Sequence, residues 1–76
     1  MLNGLDLFTG IGGISLALKP WVRTVCYVEI DRYCQALLQS RFKSGDLEPA
    51  PIWDDITTFD PRPWLGAVDI ISGGFP

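Results

Sequence analysis

The sequence predicts an α/β fold with parallel strands. Three observations carry the prediction. Apolar runs of strand length alternate with helical patterns, a glycine cluster closes the first run, and 47% of the 76 residues are hydrophobic. Strands separated by helices in so short a chain pair in parallel through right-handed crossovers.

In chain order, Gly4-Leu5-Asp6-Leu7-Phe8 is a short apolar run that reads as a strand. It ends in Thr9-Gly10-Ile11-Gly12-Gly13, a glycine turn. Ile14, Leu16, Ala17 and Leu18 suggest a short helix, stopped by Pro20. Val22 to Val28 is rich in β-branched residues and reads as a second strand closing on Glu29. Asp31 is a good N-cap for the next helix. Cys34, Leu37, Leu38 and Phe42 share one face of that helix, and Ser44-Gly45 supplies its stop. Leu47 to Pro51 is a loop, and Pro51-Ile52-Trp53 is compatible with a brief strand before Asp54-Asp55. Pro61-Arg62-Pro63 marks another connection, and Ala67 to Ser72 reads as the last strand, running into Gly73-Gly74-Phe75-Pro76.

Ordinary domains hold ~100–150 residues, so the chain has about half the usual length. Nine aromatics, three of them Trp, and only 20% charged residues make it core-rich and exclude disorder. Two Cys and no His leave neither a disulfide framework nor a zinc set. The lack of His also removes every Ser-His-Asp or Cys-His arrangement. Parallel sheets need helices on both faces, and only about two good helices are available here. The expectation is a piece of one larger domain. A net charge of −3 argues against free-standing nucleic-acid binding, and Arg32, Arg41 and Lys43 read as a solvated helix face. No apolar stretch reaches the ~18 residues of a membrane span, and the N-terminus lacks signal-peptide character, so the cytoplasm is the expected location. Cys26 and Cys34 read as small buried hydrophobes.

The strand, glycine turn and helix at the N-terminus form the first chemical signal. Glycines let backbone approach a ligand, and a helix start offers free N–H groups with partial positive charge. Glu29, at the end of the next strand, is placed to accept both hydroxyls of a ribose. Together these point to an adenosine-type cofactor site, with a plain strand-to-helix turn as the alternative. Ser15 stands where the third glycine of a GxGxxG fingerprint would fall, which disfavours a dinucleotide. Trp53-Asp54-Asp55-Ile56 is a second signal: a carboxylate and an apolar residue suited to an adenine edge and face. An Asx-turn is its alternative reading.

Taken together, these segments resemble the DNA cytosine-5 methyltransferases. Asp6 to Gly13 is similar to that family's first motif, D-L-F-[ST]-G-x-G-G, and Val28-Glu29-Ile30-Asp31 to its second. Asp54-Asp55-Ile56 resembles the third, and Gly73-Gly74-Phe75-Pro76 the opening of the fourth, G-G-x-P-C-Q. The matches fall in order from residue 6 to residue 76. The resemblance implies a partial Rossmann-like, S-adenosylmethionine-dependent core. Its parallel strands would run in the order 3-2-1-4 with helices packed on the sheet, and residues 1–76 would be the N-terminal cofactor-binding part of a single domain.

The same resemblance implies roles. Phe8, Gly10, Ile11, Gly12 and Gly13 would line the methionine and sulfonium end of S-adenosylmethionine, with the Phe8 ring facing the cation. Glu29 would hold the ribose, Ile30 would stack on adenine, and Asp55 and Ile56 would fix the adenine edge. Gly74 and Pro76 would close the pocket. In that family the nucleophilic Cys follows the Pro matched by Pro76, and neither Cys26 nor Cys34 corresponds to it. The whole enzyme would methylate C5 of cytosine in DNA, and DNA would be bound by parts beyond these residues. The isolated chain is expected to be inactive. Two other readings stay open: a truncated cofactor-binding or interaction module, and one piece of a split methyltransferase that pairs with a complementary fragment. Self-association through a sheet edge after Ile70-Ile71 is a related expectation.

Overall fold

The computed structural model describes residues 1–64 and 66–73. Strand β1 (Leu2–Leu7) leads through a glycine turn to helix α1 (Gly13–Leu18), and strand β2 (Val22–Val28) to helix α2 (Arg32–Ser44). A two-residue strand β3 (Ile52–Trp53) and a 3-10 turn (Arg62–Trp64) precede strand β4 (Ile70–Gly73). The four strands form one parallel sheet in the order β3-β2-β1-β4, the order the motifs imply. All strands therefore end on one side, where Phe8, Glu29 and Asp54 emerge.

The pairing of β1 with β2 shifts between Gly4 and Leu5: Gly4 pairs with Thr24 and Leu5 with Cys26, leaving Val25 as an extra residue. This bulge resets the alternation of β2. Leu5, Cys26 and Val28 then gather on one face, joined by the partly buried Leu7, Ile56, Phe59, Trp64 and Val68. On the helix-bearing face Tyr27 meets the Phe42 ring of α2 at 5.2 Å, and Leu38 is fully buried.

Helix α2 forms as its sequence dictates. Asp31 Oδ1 accepts the Cys34 amide at 3.0 Å, and Gly45, at φ 83°, ends the helix in the left-handed conformation that favours glycine.

Two strand boundaries differ from the sequence expectation. Strand β1 begins at Leu2, because Leu2 and Asn3 already pair with Val22 and Arg23. It ends before Phe8, whose φ of 52° leaves the extended region. Strand β4 begins at Ile70 rather than Ala67. Gly66 at φ 84° places residues 66–69 in a turn, and Asn3 clasps that turn: its amide donates to Asp69 Oδ2 and its Nδ2 to the Ala67 carbonyl.

Candidate functional site

The glycine turn is built by backbone that only certain residues adopt. Gly10 (φ 60°) and Gly12 (φ 86°) occupy the left-handed region, and Phe8 joins them there at a cost of about 1–2 kcal/mol. Such strain persists where surrounding contacts over-determine it, as at ligand sites. Thr9 supplies some of those contacts: its amide donates to the Val28 carbonyl (3.1 Å) and its hydroxyl to the Asp6 carbonyl (2.9 Å).

The turn's glycines differ in what surrounds them. A Cβ on Gly12 would meet Leu47 Cδ1 at 2.6 Å and Leu38 Cδ2 at 3.0 Å, so the core packs against this position. A Cβ on Gly10 or Gly13 would meet nothing within 4 Å. Gly10 still needs its positive φ. Gly13 has neither a positive φ nor a neighbour within that distance, so its missing side chain leaves open space beside the turn.

Glu29 closes the turn from β2. Its Oε1 accepts the Gly10 amide at 2.5 Å and its Oε2 accepts the Asp31 amide at 2.9 Å. Gln35 of α2 donates to the Glu29 carbonyl at 2.7 Å, and the Glu29 amide donates to the Trp53 carbonyl at 2.8 Å. A carboxylate offers about four lone-pair directions, so each oxygen retains capacity for a further donor such as a ribose hydroxyl. Next in sequence, Ile30 is 70% exposed. With Asp54 and Asp55 it borders a broad depression of about 970 Å³ against the Gln35, Gln39 and Lys43 side of α2.

Asp55 is held in an Asx-turn. Its Oδ1 accepts the Thr57 amide (2.9 Å) and hydroxyl (2.7 Å), bonds that hold its carboxyl below the usual range. Its Oδ2 has no hydrogen bond among the described residues. Ile56 packs partly against the Leu5, Cys26 and Val28 cluster, and Ile11 is half exposed at the turn. The structure thus joins Phe8, Gly10, Ile11, Gly12, Gly13 and Glu29 at the ends of the two central strands. It places Ile30 and Asp55 around the neighbouring depression and turns Ile56 toward the core. Gly74 and Pro76 lie outside the described residues.

Beneath the turn is a polar network of Asp6, Ser15 and Thr24. Asp6 of β1 is 1% exposed, and its Oδ2 accepts the Ser15 hydroxyl of α1. Ser15 Oγ in turn accepts the Thr24 hydroxyl of β2 at 3.0 Å. Asp6 Oδ1 is buried and without a partner among the described residues. Burial pushes the Asp6 carboxyl up, against the opposing bond from Ser15, and the Glu29 charge adds to the rise. The signal available in the sequence is Ser15 itself, in the place of a third glycine, and Thr24 within an apolar strand.

Neither cysteine is an activated thiol. Cys26 is fully buried and its thiol is pushed up to about 11. The Cys34 thiol is raised by desolvation and by the Asp31 and Glu29 carboxylates. Among the described residues no group of His, Cys, Asp and Glu could hold a metal ion, and no helix is long and apolar enough to cross a membrane.

Comparison with known proteins places this arrangement among relatives. A family model for C-5 cytosine-specific DNA methylases matches residues 2–76. The type II methyltransferase M.CviJI of Paramecium bursaria Chlorella virus IL3A is 35% identical over 72 residues, which cover 95% of this chain and 18% of that protein. M.Eco47II of Escherichia coli is 35% identical over 78 residues, covering 95% and 16%. M.PspPI of Psychrobacter sp. (strain TA137) is 34% identical over 73 residues, covering 95% and 17%. The chain thus spans less than a fifth of these relatives' length. Among solved structures, an S-adenosylmethionine-dependent methyltransferase from Clostridium acetobutylicum ATCC 824 superposes with a TM-score of 0.62 at 25% identity, covering 76% of this chain and 24% of that one.

Proposed function

The chain belongs to the C-5 cytosine-specific DNA methylase family, and from that membership we propose that its residues form the S-adenosylmethionine-binding part of a DNA cytosine-5 methyltransferase. They are one section of a single methyltransferase domain. The observation that carries the reading is the clasp between Glu29 and the Gly10 amide at the carboxyl ends of the two central strands. In open parallel sheets, ligands bind at that end.

The residues fit the cofactor. Gly13 leaves room that a Cβ would fill, and the left-handed Phe8 and Gly10 shape the backbone around it. Glu29 retains acceptor capacity for the ribose, and Ile30 and the Asp55 Oδ2 border the depression suited to adenine. When bound, S-adenosylmethionine supplies an electrophilic methyl group. This chain's residues bind and orient the donor. Helix α1 has only six residues, so its dipole contributes little, and the loop glycines and Glu29 carry the recognition. Ser15, bonded to Asp6, occupies the position a third fingerprint glycine would hold, which argues against a dinucleotide ligand.

Methyl transfer needs a thiolate that adds to the flipped base. Buried Cys26 and the raised thiol of Cys34 do not provide it, so the 76 residues alone hold the donor without turning it over. DNA is the substrate of the whole protein and is engaged outside this net-negative section. A cytoplasmic location and pairing or self-association along β4, whose Ile71 is 64% exposed, belong to the same proposal. Calorimetry with S-adenosylhomocysteine and NADH, beside a tritiated-methyl assay on DNA, tests the reading. Binding of the first, none of the second and no incorporation are expected. NADH binding without S-adenosylhomocysteine binding would overturn the ligand assignment, and methyl incorporation by the chain would overturn the absence of a nucleophile.

A further inference from the structure

Helix α1 turns its chemistry inside out. Its apolar residues Ile14 and Leu16 are 39% and 40% exposed, while Ser15 is its buried residue. A six-residue helix does not hold itself together, so contacts with its surroundings must fix it. At its start the core packs against Gly12, and just past its end Lys19 Nζ donates to the Gly45 and Asp46 carbonyls. Between these anchors, Ser15 bonds to Asp6 of β1 and accepts from Thr24 of β2.

We propose that Ser15 is a positioning residue: through Asp6 and Thr24 it latches the first turn of α1 to both central strands and so fixes the glycine loop that receives the methyl donor. The inference rests on the cofactor reading and deepens it. Three polar side chains buried to 1%, 5% and 5% exposure on three successive elements form one chain of contacts, and none belongs to an ion pair among the described residues. Apolar residues of similar shape would fill the same space without desolvating a carboxyl, so packing alone does not call for this trio. Hydrogen bonds add direction: they fix the rotation of a short helix, where apolar contacts let it slip. That rotation sets Gly12 and Gly13, because the Leu16 amide next to Ser15 donates to the Gly12 carbonyl at 2.9 Å. Ser15 contacts no ligand in this scheme; it acts through the loop.

Amide hydrogen exchange of Gly10, Gly12 and Gly13, followed by NMR without ligand, reads the latch directly. Calorimetry with S-adenosylhomocysteine reads its consequence. Ser15→Ala is expected to speed loop exchange and weaken binding by about tenfold each, leaving exchange at Leu38 in α2 unchanged. Thr24→Val should do the same to a smaller degree, about threefold, and Thr24→Ser, which keeps the hydroxyl, should match the parent. Loop exchange within twofold of the parent in Ser15→Ala overturns the latch. Should Ser15→Ala fail to fold, equal loop exchange in Thr24→Val and Thr24→Ser overturns it instead. If the parent binds no S-adenosylhomocysteine, the cofactor reading fails while the exchange arm still decides the latch.

Discussion

Replacing Gly13 by Ala should separate stability from ligand binding. Gly13 opens α1 with a φ outside the left-handed region, and an added Cβ meets nothing within 4 Å. The substitution therefore brings neither strain nor a clash, and it removes conformational freedom from the unfolded chain. Gly→Ala at compatible helical sites stabilises by about 0.4–1 kcal/mol, and the lower half of that range suits the first position of a helix. For a domain of this size 0.5 kcal/mol raises the thermal midpoint by roughly 2–4 °C. The same methyl enters the open space assigned to the methyl donor, so S-adenosylhomocysteine affinity should fall at least about tenfold, or ~1.4 kcal/mol. Thermal unfolding by circular dichroism and calorimetric titration are the two assays. A variant that is more stable and binds as tightly as the parent would refute the placement of the ligand beside Gly13. A variant that is clearly less stable would refute the reading of its local backbone.

Gly12→Ala should behave oppositely: with φ 86° and Leu47 Cδ1 at 2.6 Å, it should lose about 2–5 kcal/mol in urea unfolding. Glu29→Ala removes the acceptor for two backbone amides and should weaken S-adenosylhomocysteine binding; unchanged affinity in calorimetry would reduce Glu29 to a clamp for the loop. The Asp6 carboxyl lies above its ordinary value of 3.8 in the fold, so its stabilising contribution is complete below that pH and is lost as pH rises through the raised value. Asp6→Asn cannot ionise, and its stability relative to the parent should improve from pH 4 toward pH 7 in denaturant titrations; a constant difference would contradict this. Alkylation followed by mass spectrometry at neutral pH should modify Cys34 slowly and Cys26 only after unfolding, given thiols that are both raised.

Much of the fold was legible because local rules and tertiary context agree. Strand β2 matches its β-branched run, and α2 starts at the Asp31 cap and stops at Gly45, where short-range chemistry decides. The brief β3 was legible only as compatible, since two residues carry no periodicity. The limits of β1 and β4 were not legible: β1 starts where Leu2 and Asn3 pair with β2 and ends at the left-handed Phe8, and β4 starts after the turn that Asn3 clasps at Asp69. At the site, the motif resemblance pointed to Glu29 and the loop glycines, which the fold brings together. It did not separate Gly12, against which the core packs, from Gly13, which faces open space, because that distinction lies in Leu38 and Leu47. In the sequence Ser15 stands out only as a missing glycine, and its hydroxyl acquires meaning only once β1 and β2 lie side by side.

The sheet order also governs how the chain comes together in time. Of these four strands β1 is made first, and it lies between β2 on one side and β4 on the other. Its partner on the β4 side leaves the ribosome roughly forty residues after β2 is complete, an interval of about 2–8 s at ordinary synthesis rates. Through that interval Gly4 to Leu7 present an unpaired hydrogen-bonding edge beside apolar side chains, a template for any other nascent strand. Strand β1, which carries the glycine loop, is thus open to mispairing during synthesis, and chaperone demand should track the time taken to reach β4.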